Sequence, residues 1–130
     1  MAAKLLIAEE QKVVKDSVSE FKFSRAHRLS QKADIRNVFQ LGKKRRLSEL
    51  SMFIYPNLYT HSRLCVTISK KSVPKSYQRN QIRRIIRESF RLNQHDLPSY
   101  DIVIVVYKSM GLLTKKQIWE ILSKQWQKLR

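Results

Sequence analysis

Glycine is almost absent from this chain of 130 residues, with only Gly42 and Gly111. A glycine-rich phosphate loop needs several positions without a Cβ, so that class of nucleotide site is excluded. Cysteine is rarer still. Cys65 stands alone, which rules out an internal disulfide, and it alternates within an apolar stretch as a small core residue does. The three histidines, His27, His61 and His95, are dispersed, with no ligand-like spacing among themselves or with Cys65. No metal site is expected in the protein itself. No apolar run approaches the roughly 20 residues that cross a bilayer. Leu5-Leu6-Ile7-Ala8, stopped by Glu9-Glu10, is too short for a signal-peptide core. Together these absences lead us to expect a cytoplasmic protein with no membrane partner.

Acids are scarce as well. Ten Asp or Glu face 27 Lys or Arg, for a formal net charge of +17. Such an imbalance repels itself in the folded state and is tolerated when a polyanion neutralises it. Nucleic acid is the first partner class and an acidic membrane surface the second. The cations are concentrated. From Lys70 to Arg91 the chain carries eight Lys or Arg and one acid, Glu88.

The length suits one domain. Residues 1–20 scatter their apolar side chains without a continuous stripe and read as a weakly helical or disordered extension. The domain, 21–130, opens with a helix from Gln31 to Gln40. Ser30 is a possible cap, Ile35, Val38 and Phe39 share one face, and Gly42 is the stop. Lys43-Lys44-Arg45-Arg46 reads as a basic loop. Alternation predicts strands over Leu50–Tyr55 and Arg63–Ser69, close enough for a hairpin connection. Pro74 forbids regular structure, so the next helix starts near Lys75 or Tyr77 and runs to about Leu92. Asp101 to Tyr107 is a β-branched run, as expected of a strand buried on both faces. Thr114 and Gln117 have capping-box spacing before a last amphipathic helix. The order helix, strand, strand, helix, strand, helix gives an α+β fold, an α/β sandwich with a small mixed sheet.

A projection at about 100° per residue divides the basic helix. Arg79, Asn80, Arg83, Arg84, Arg87 and Arg91 fall in one sector, and Ile82, Ile85, Ile86, Ser89 and Phe90 in the other. The apolar sector can pack on a sheet while the other presents guanidinium groups, whose planar forks suit phosphate oxygens. The bland alternative is a solvated charged face, and the single sign of the charge argues against it. Duplex DNA is disfavoured, because the flanking strands do not resemble a helix-turn-helix and base-reading helices seldom carry so uniform a cation face.

Arg79-Asn80-Gln81-Ile82-Arg83-Arg84, then Arg87-Glu88 and Phe90-Arg91, resembles the signature of the bacterial ribonuclease P protein component. The helix follows Ser69-Lys70-Lys71, as in that family. Arg28-Leu29, Val38-Phe39, Gly42, the strand from Arg63 and the strand from Asp101 fall in the family's order, so the resemblance spans Phe21 to the C-terminus. It implies a protein whose RNA subunit does the chemistry, with Mg²⁺ bound mainly by that RNA and no catalytic residue in the protein. It also implies a left-handed βαβ crossover, where general rules favour the right-handed form. The partners implied are the catalytic RNA subunit and precursor tRNA, whose 5′ leader is removed. Carried over by position, Lys70, Lys71, Lys75, Arg79, Asn80, Arg83, Arg84, Arg87 and Arg91 face the RNA subunit. Ile35, Phe39, Phe53 and Tyr55 form the floor for the single-stranded leader. The alternative for Phe39 and Phe53 is ordinary core packing. Asp101 is either a strand-edge residue or an outer partner of RNA-bound metal, and the first is favoured. Two positions depart from the family. Gln81 stands where a basic residue is usual, and Ile35 where Phe is common. The alternative function, from residues alone, is a ribosomal or general structured-RNA-binding protein.

Overall fold

The computed structural model describes residues 27–130. The proposed extension over residues 1–20 lies outside that range. Among the described residues the elements are α1 (Lys32–Leu41), β1 (Lys43–Arg46), β2 (Leu50–Pro56), β3 (Arg63–Ile68), α2 (Ser76–Asn93), β4 (Tyr100–Val106) and α3 (Lys115–Leu129). The α+β class is as expected, with one strand more. Lys43-Lys44-Arg45-Arg46 is not a loop but the edge strand β1, paired antiparallel with β2 and closed by Leu47 N–H to the Leu50 carbonyl at 2.8 Å.

The four strands lie in the order β1-β2-β4-β3. β2 therefore pairs antiparallel with β4, and β3 pairs parallel with β4. The expected β2–β3 hairpin does not form, because β4, buried on both faces, occupies the centre between them. The parallel β3–β4 pair requires a crossover, and α2 supplies it.

Strand alternation gives the sheet two different faces. Met52, Ile54, Ile102, Ile104, Leu64 and Val106 point to one side. There they meet Ile82, Ile85, Ile86 and Phe90 of α2 and Ile118, Leu122, Trp126 and Leu129 of α3 in the main core. Ser89, placed in the apolar sector of α2, accepts the Trp126 indole N–H at 2.8 Å. A buried indole needs such a partner, which explains a serine in that sector. The capping box forms as expected, with Gln117 N–H donating to Thr114 Oγ1 at 3.2 Å and Thr114 N–H to Gln117 Oε1 at 2.8 Å.

Among the described residues the opposite face is only partly covered. Leu29, Val38 and Val103 make a small core there, flanked by Ile35, Phe53, Tyr55, Cys65 and Val105. A helix of ten residues spans about 15 Å, too short to roof the sheet. Ser30 does not cap it; Gln31 occupies the N-cap position and makes no side-chain cap. Gly42 ends α1 for a reason other than a left-handed backbone, since its φ is −79°. A Cβ there would lie 2.5 Å from the Val38 carbonyl oxygen and 2.8 Å from that of Ile54, so only glycine allows the chain to turn so closely into β1.

Candidate nucleic-acid interface

The basic helix is oriented by its own isoleucines. With Ile82, Ile85 and Ile86 buried, Asn80, Gln81 and Arg84 are exposed and Arg79, Arg83, Arg87 and Arg91 half-exposed. Asn80, Arg83, Arg84, Arg87 and Glu88 surround an open depression of about 330 Å³. Arg83 Nη1 donates to Asn80 Oδ1 at 3.4 Å. Like charges crowd here. The Arg87 guanidinium is held below its ordinary pKa, first by burial and then by Arg28 and Arg83. A phosphate in the depression would relieve that repulsion.

The two ends of the arginine row are engaged in the fold, which the projection did not reveal. Arg79 Nη1 donates to the carbonyls of Val73 at 2.9 Å and Pro74 at 2.8 Å, fixing the entry to α2. Arg91 pairs with Glu88 one turn back. Lys70, Lys71 and Lys75 are exposed at the mouth of the helix. Lys75 Nζ lies 5.8 Å from the centre of the Tyr77 ring, which is 67% exposed. Tyr77 is an open aromatic beside cations that the sequence reading passed over.

The four leader-floor residues come together on the half-covered face. Phe39 and Phe53 meet edge to face with centroids 4.7 Å apart. Phe39 is 41% exposed, so it is not a core residue. Ile35, Phe53 and Tyr55 are half-buried around it. Cys65 lies on the same face, where burial raises its thiol pKa against the opposing pull of Arg87 and Arg83. The charges of Arg83 and Arg87 are thus felt at Cys65 on the aromatic face. The segment at Arg28 lies beside β3, bridging to Leu64.

Asp101 stands near the start of its strand, with its carboxylate engaged by neighbouring donors. It lies on central β4 and accepts from Arg63 Nε at 2.8 Å, Arg63 Nη2 at 2.6 Å and Asn57 Nδ2 at 2.8 Å. Arg63 also reaches Asp34 at 3.3 Å and lies under the Tyr59 ring at 4.4 Å. Its guanidinium is raised above the ordinary value, chiefly by the hydrogen bond to Asp101. This network forms one end of the aromatic face.

The histidines, dispersed in sequence, converge in space. His27 and His61 rings stand 5.0 Å apart at 69°. Burial, then His61 and His95, lower the His27 pKa to about 4. The folded state therefore resists protonation where the unfolded chain, with an ordinary value near 6.5, accepts it. The part of the stability that depends on a neutral His27 is complete above about pH 6.5 and falls as pH drops toward about 4. After allowance for partial solvent access, His27 should account for roughly 1–2 kcal/mol of that loss. Urea midpoints from pH 7 to pH 4.5 should fall less for His27→Gln than for the parent, and identical profiles would refute the assignment. Among the described residues no group of three His, Cys, Asp or Glu is placed to hold a metal.

A cationic helix on one side of a mixed sheet and an open aromatic face on the other define an RNA-binding α+β protein. The ribonuclease P family model matches residues 23–130, and the chain belongs to that family. The RNase P protein of Thermotoga maritima has the same fold, with a TM-score of 0.70 and 25% identity over 79% of this chain and 97% of that one. The RNase P protein of Staphylococcus aureus gives a TM-score of 0.73 over 82% of this chain and 100% of that one; at 24% identity this is a likeness of fold. Membership makes the chain a subunit of an endoribonuclease that processes tRNA 5′ ends, with RNA as its partner.

Proposed function

We propose that the α2 face docks on the catalytic RNA subunit of ribonuclease P, while the half-covered face under α1 holds the 5′ leader of precursor tRNA. Lys70, Lys71, Lys75, Arg79, Asn80, Arg83, Arg84, Arg87 and Arg91 serve the first contact. Ile35, Phe39, Phe53 and Tyr55 serve the second. The observation that carries this reading is the placement of the two chemistries on opposite sides of one sheet, bordering at Arg87 and Cys65. A folded RNA presents phosphates, which suit guanidinium forks. An unpaired leader presents base faces, which suit Phe39 without demanding a sequence.

The chain contributes no reacting group. Magnesium prefers several oxygen ligands, yet Asp34 and Asp101 are already engaged by Arg63. These two carboxylates are therefore poor Mg²⁺ ligands as they stand, and the ions are assigned mainly to the RNA subunit. No described helix is long and apolar enough to cross a membrane, and work on precursor tRNA suits the cytoplasm. Residues 21–130 would form the RNA-binding domain and 1–20 an accessory extension.

Reconstitution tests the proposal. The protein alone should cleave nothing, and its addition to the RNA subunit at low Mg²⁺ should raise precursor tRNA cleavage. No increase would overturn it. Equal affinity for any structured RNA at matched salt would favour a general RNA-binding role instead.

A further inference from the structure

We propose that β1 is a second RNA-contact strand, which carries the leader beyond the aromatic face and over the free edge of the sheet. This rests on the reading of that face as the leader site. Among the described residues β1 pairs only with β2, and none of them covers its outer edge. Lys43, Lys44 and Arg46 are exposed and Arg45 is half-buried. The strand's alternation distributes them. Lys44 stands opposite Phe53, with its ammonium 5.5 Å from the ring centre. Arg46 stands opposite Ser51, with its guanidinium 5.0 Å from the centre of the Tyr107 ring. The Tyr107 hydroxyl is tied to Ser51 Oγ at 2.5 Å, which holds the ring in place. Both cations are therefore on the face that carries Phe39. Lys43 and Arg45 turn to the other face. Arg45 donates to Gln125 at 3.3 Å, and Lys43 joins Lys128 around a groove of about 530 Å³ whose lining contains no acid.

Among the described residues, no carboxylate forms an ion pair with any β1 cation. Four successive cations without counter-charges repel one another, and a polyanion relieves this. Single-stranded RNA is the occupant that suits the geometry. It supplies phosphates for Lys44 and Arg46 and base faces for the adjoining rings, and Arg46 offers a planar surface of its own. The cross-strand row Lys44, Phe53, Val103, Cys65 makes the edge continuous with the aromatic face. A duplex would keep its bases stacked away from those rings. A purely structural role, in which the cation–ring pairs only steady the edge strand, predicts no dependence on leader length.

The test uses the reconstituted holoenzyme and precursor tRNAs with leaders of about 3 and about 10 nucleotides, within and beyond the reach of a short aromatic site. The variant Lys44→Gln/Arg46→Gln keeps long side chains and removes both charges. Its loss of affinity for the long leader should exceed its loss for the short one by roughly 10- to 25-fold near 0.1 M salt, the expectation for two phosphate contacts. A separate Phe39→Ala variant should weaken both leaders. If Phe39→Ala weakens both while the double variant treats the two lengths alike, β1 is not a leader contact. If Phe39→Ala weakens neither, the reading of the aromatic face fails first. Thermal melting of each variant identifies misfolding, and Lys44→Ala alone, expected to give about half the logarithmic effect, then replaces the double variant.

Discussion

Asp101→Ala should cost about 3–5 kcal/mol of folding stability, the usual penalty for removing one partner of a buried ion pair. Asp101 is only 5% exposed and satisfies three donors, two from Arg63 and one from Asn57. Without it, the Arg63 guanidinium stays buried with Asp34 at 3.3 Å as its remaining acid partner among the described residues. Asp34 is a weaker support. Its side chain is 35% exposed, so Asp34→Ala should cost less than about 1 kcal/mol. Replacing both buried partners, as in Arg63→Met/Asp101→Leu, should cost less than Asp101→Ala alone, because no charge is left stranded. Urea unfolding of the three variants gives the ordering. A loss below about 1 kcal/mol for Asp101→Ala would mean that water reaches Arg63 freely.

The same pair matters for the interface. Arg63 and Asp101 are register partners at the starts of β3 and β4, and Tyr55 faces Asp101 from β2. Loss of Asp101 should therefore loosen one end of the aromatic face, including Tyr55 and Tyr59. The α2 depression lies against the other side of the sheet. At temperatures where the variant is still folded, leader affinity should decline before RNA-subunit affinity does.

Much of this was legible in the sequence because it depends on local periodicity. The β2 alternation, the β-branched β4 run, the Thr114 capping box and the apolar sector of α2 each follow from spacing within one element. β1 was hidden because all four of its residues are cations, so alternation leaves no hydrophobic trace. The signal that could have revealed it is the spacer Leu47-Ser48-Glu49, which has hairpin length before the next strand. The β2–β3 hairpin was a wrong expectation for a different reason. Proximity in sequence favours pairing, but the buried β4 needs a neighbour on each side, and that is a property of the whole sheet. The convergence of His27, His61 and His95, and the anchoring of Arg79 on the Val73 and Pro74 carbonyls, depend on where loops return. No period in the sequence encodes that.

That anchoring changes what the arginine row is expected to do in binding. All eight cations between Lys70 and Arg91 would give a salt slope near −6, at about −0.7 to −0.9 per phosphate. The structure divides them. Arg79 supports the helix entry, so Arg79→Ala should mainly reduce stability, and Arg91 is shared with Glu88. Arg83, Arg84 and Arg87 border the depression, so within the proposed contact surface they should carry the largest share of the phosphate contacts. Arg83→Ala/Arg84→Ala/Arg87→Ala should flatten the salt slope for RNA-subunit binding by about 2–3 and weaken binding roughly 100-fold near 0.1 M salt. Glu88→Gln should act in the opposite direction, because it removes the acid at that rim and releases Arg91. Phe39→Ala should leave RNA-subunit affinity unchanged and weaken leader binding by about 1–3 kcal/mol, the usual value of one stacked base. Binding titrations at several salt concentrations, with RNA subunit and precursor tRNA measured separately, distinguish these effects. If the triple variant and Phe39→Ala reduced both affinities in equal proportion, the two faces would not be separate sites, and the sheet would be presenting one continuous RNA surface.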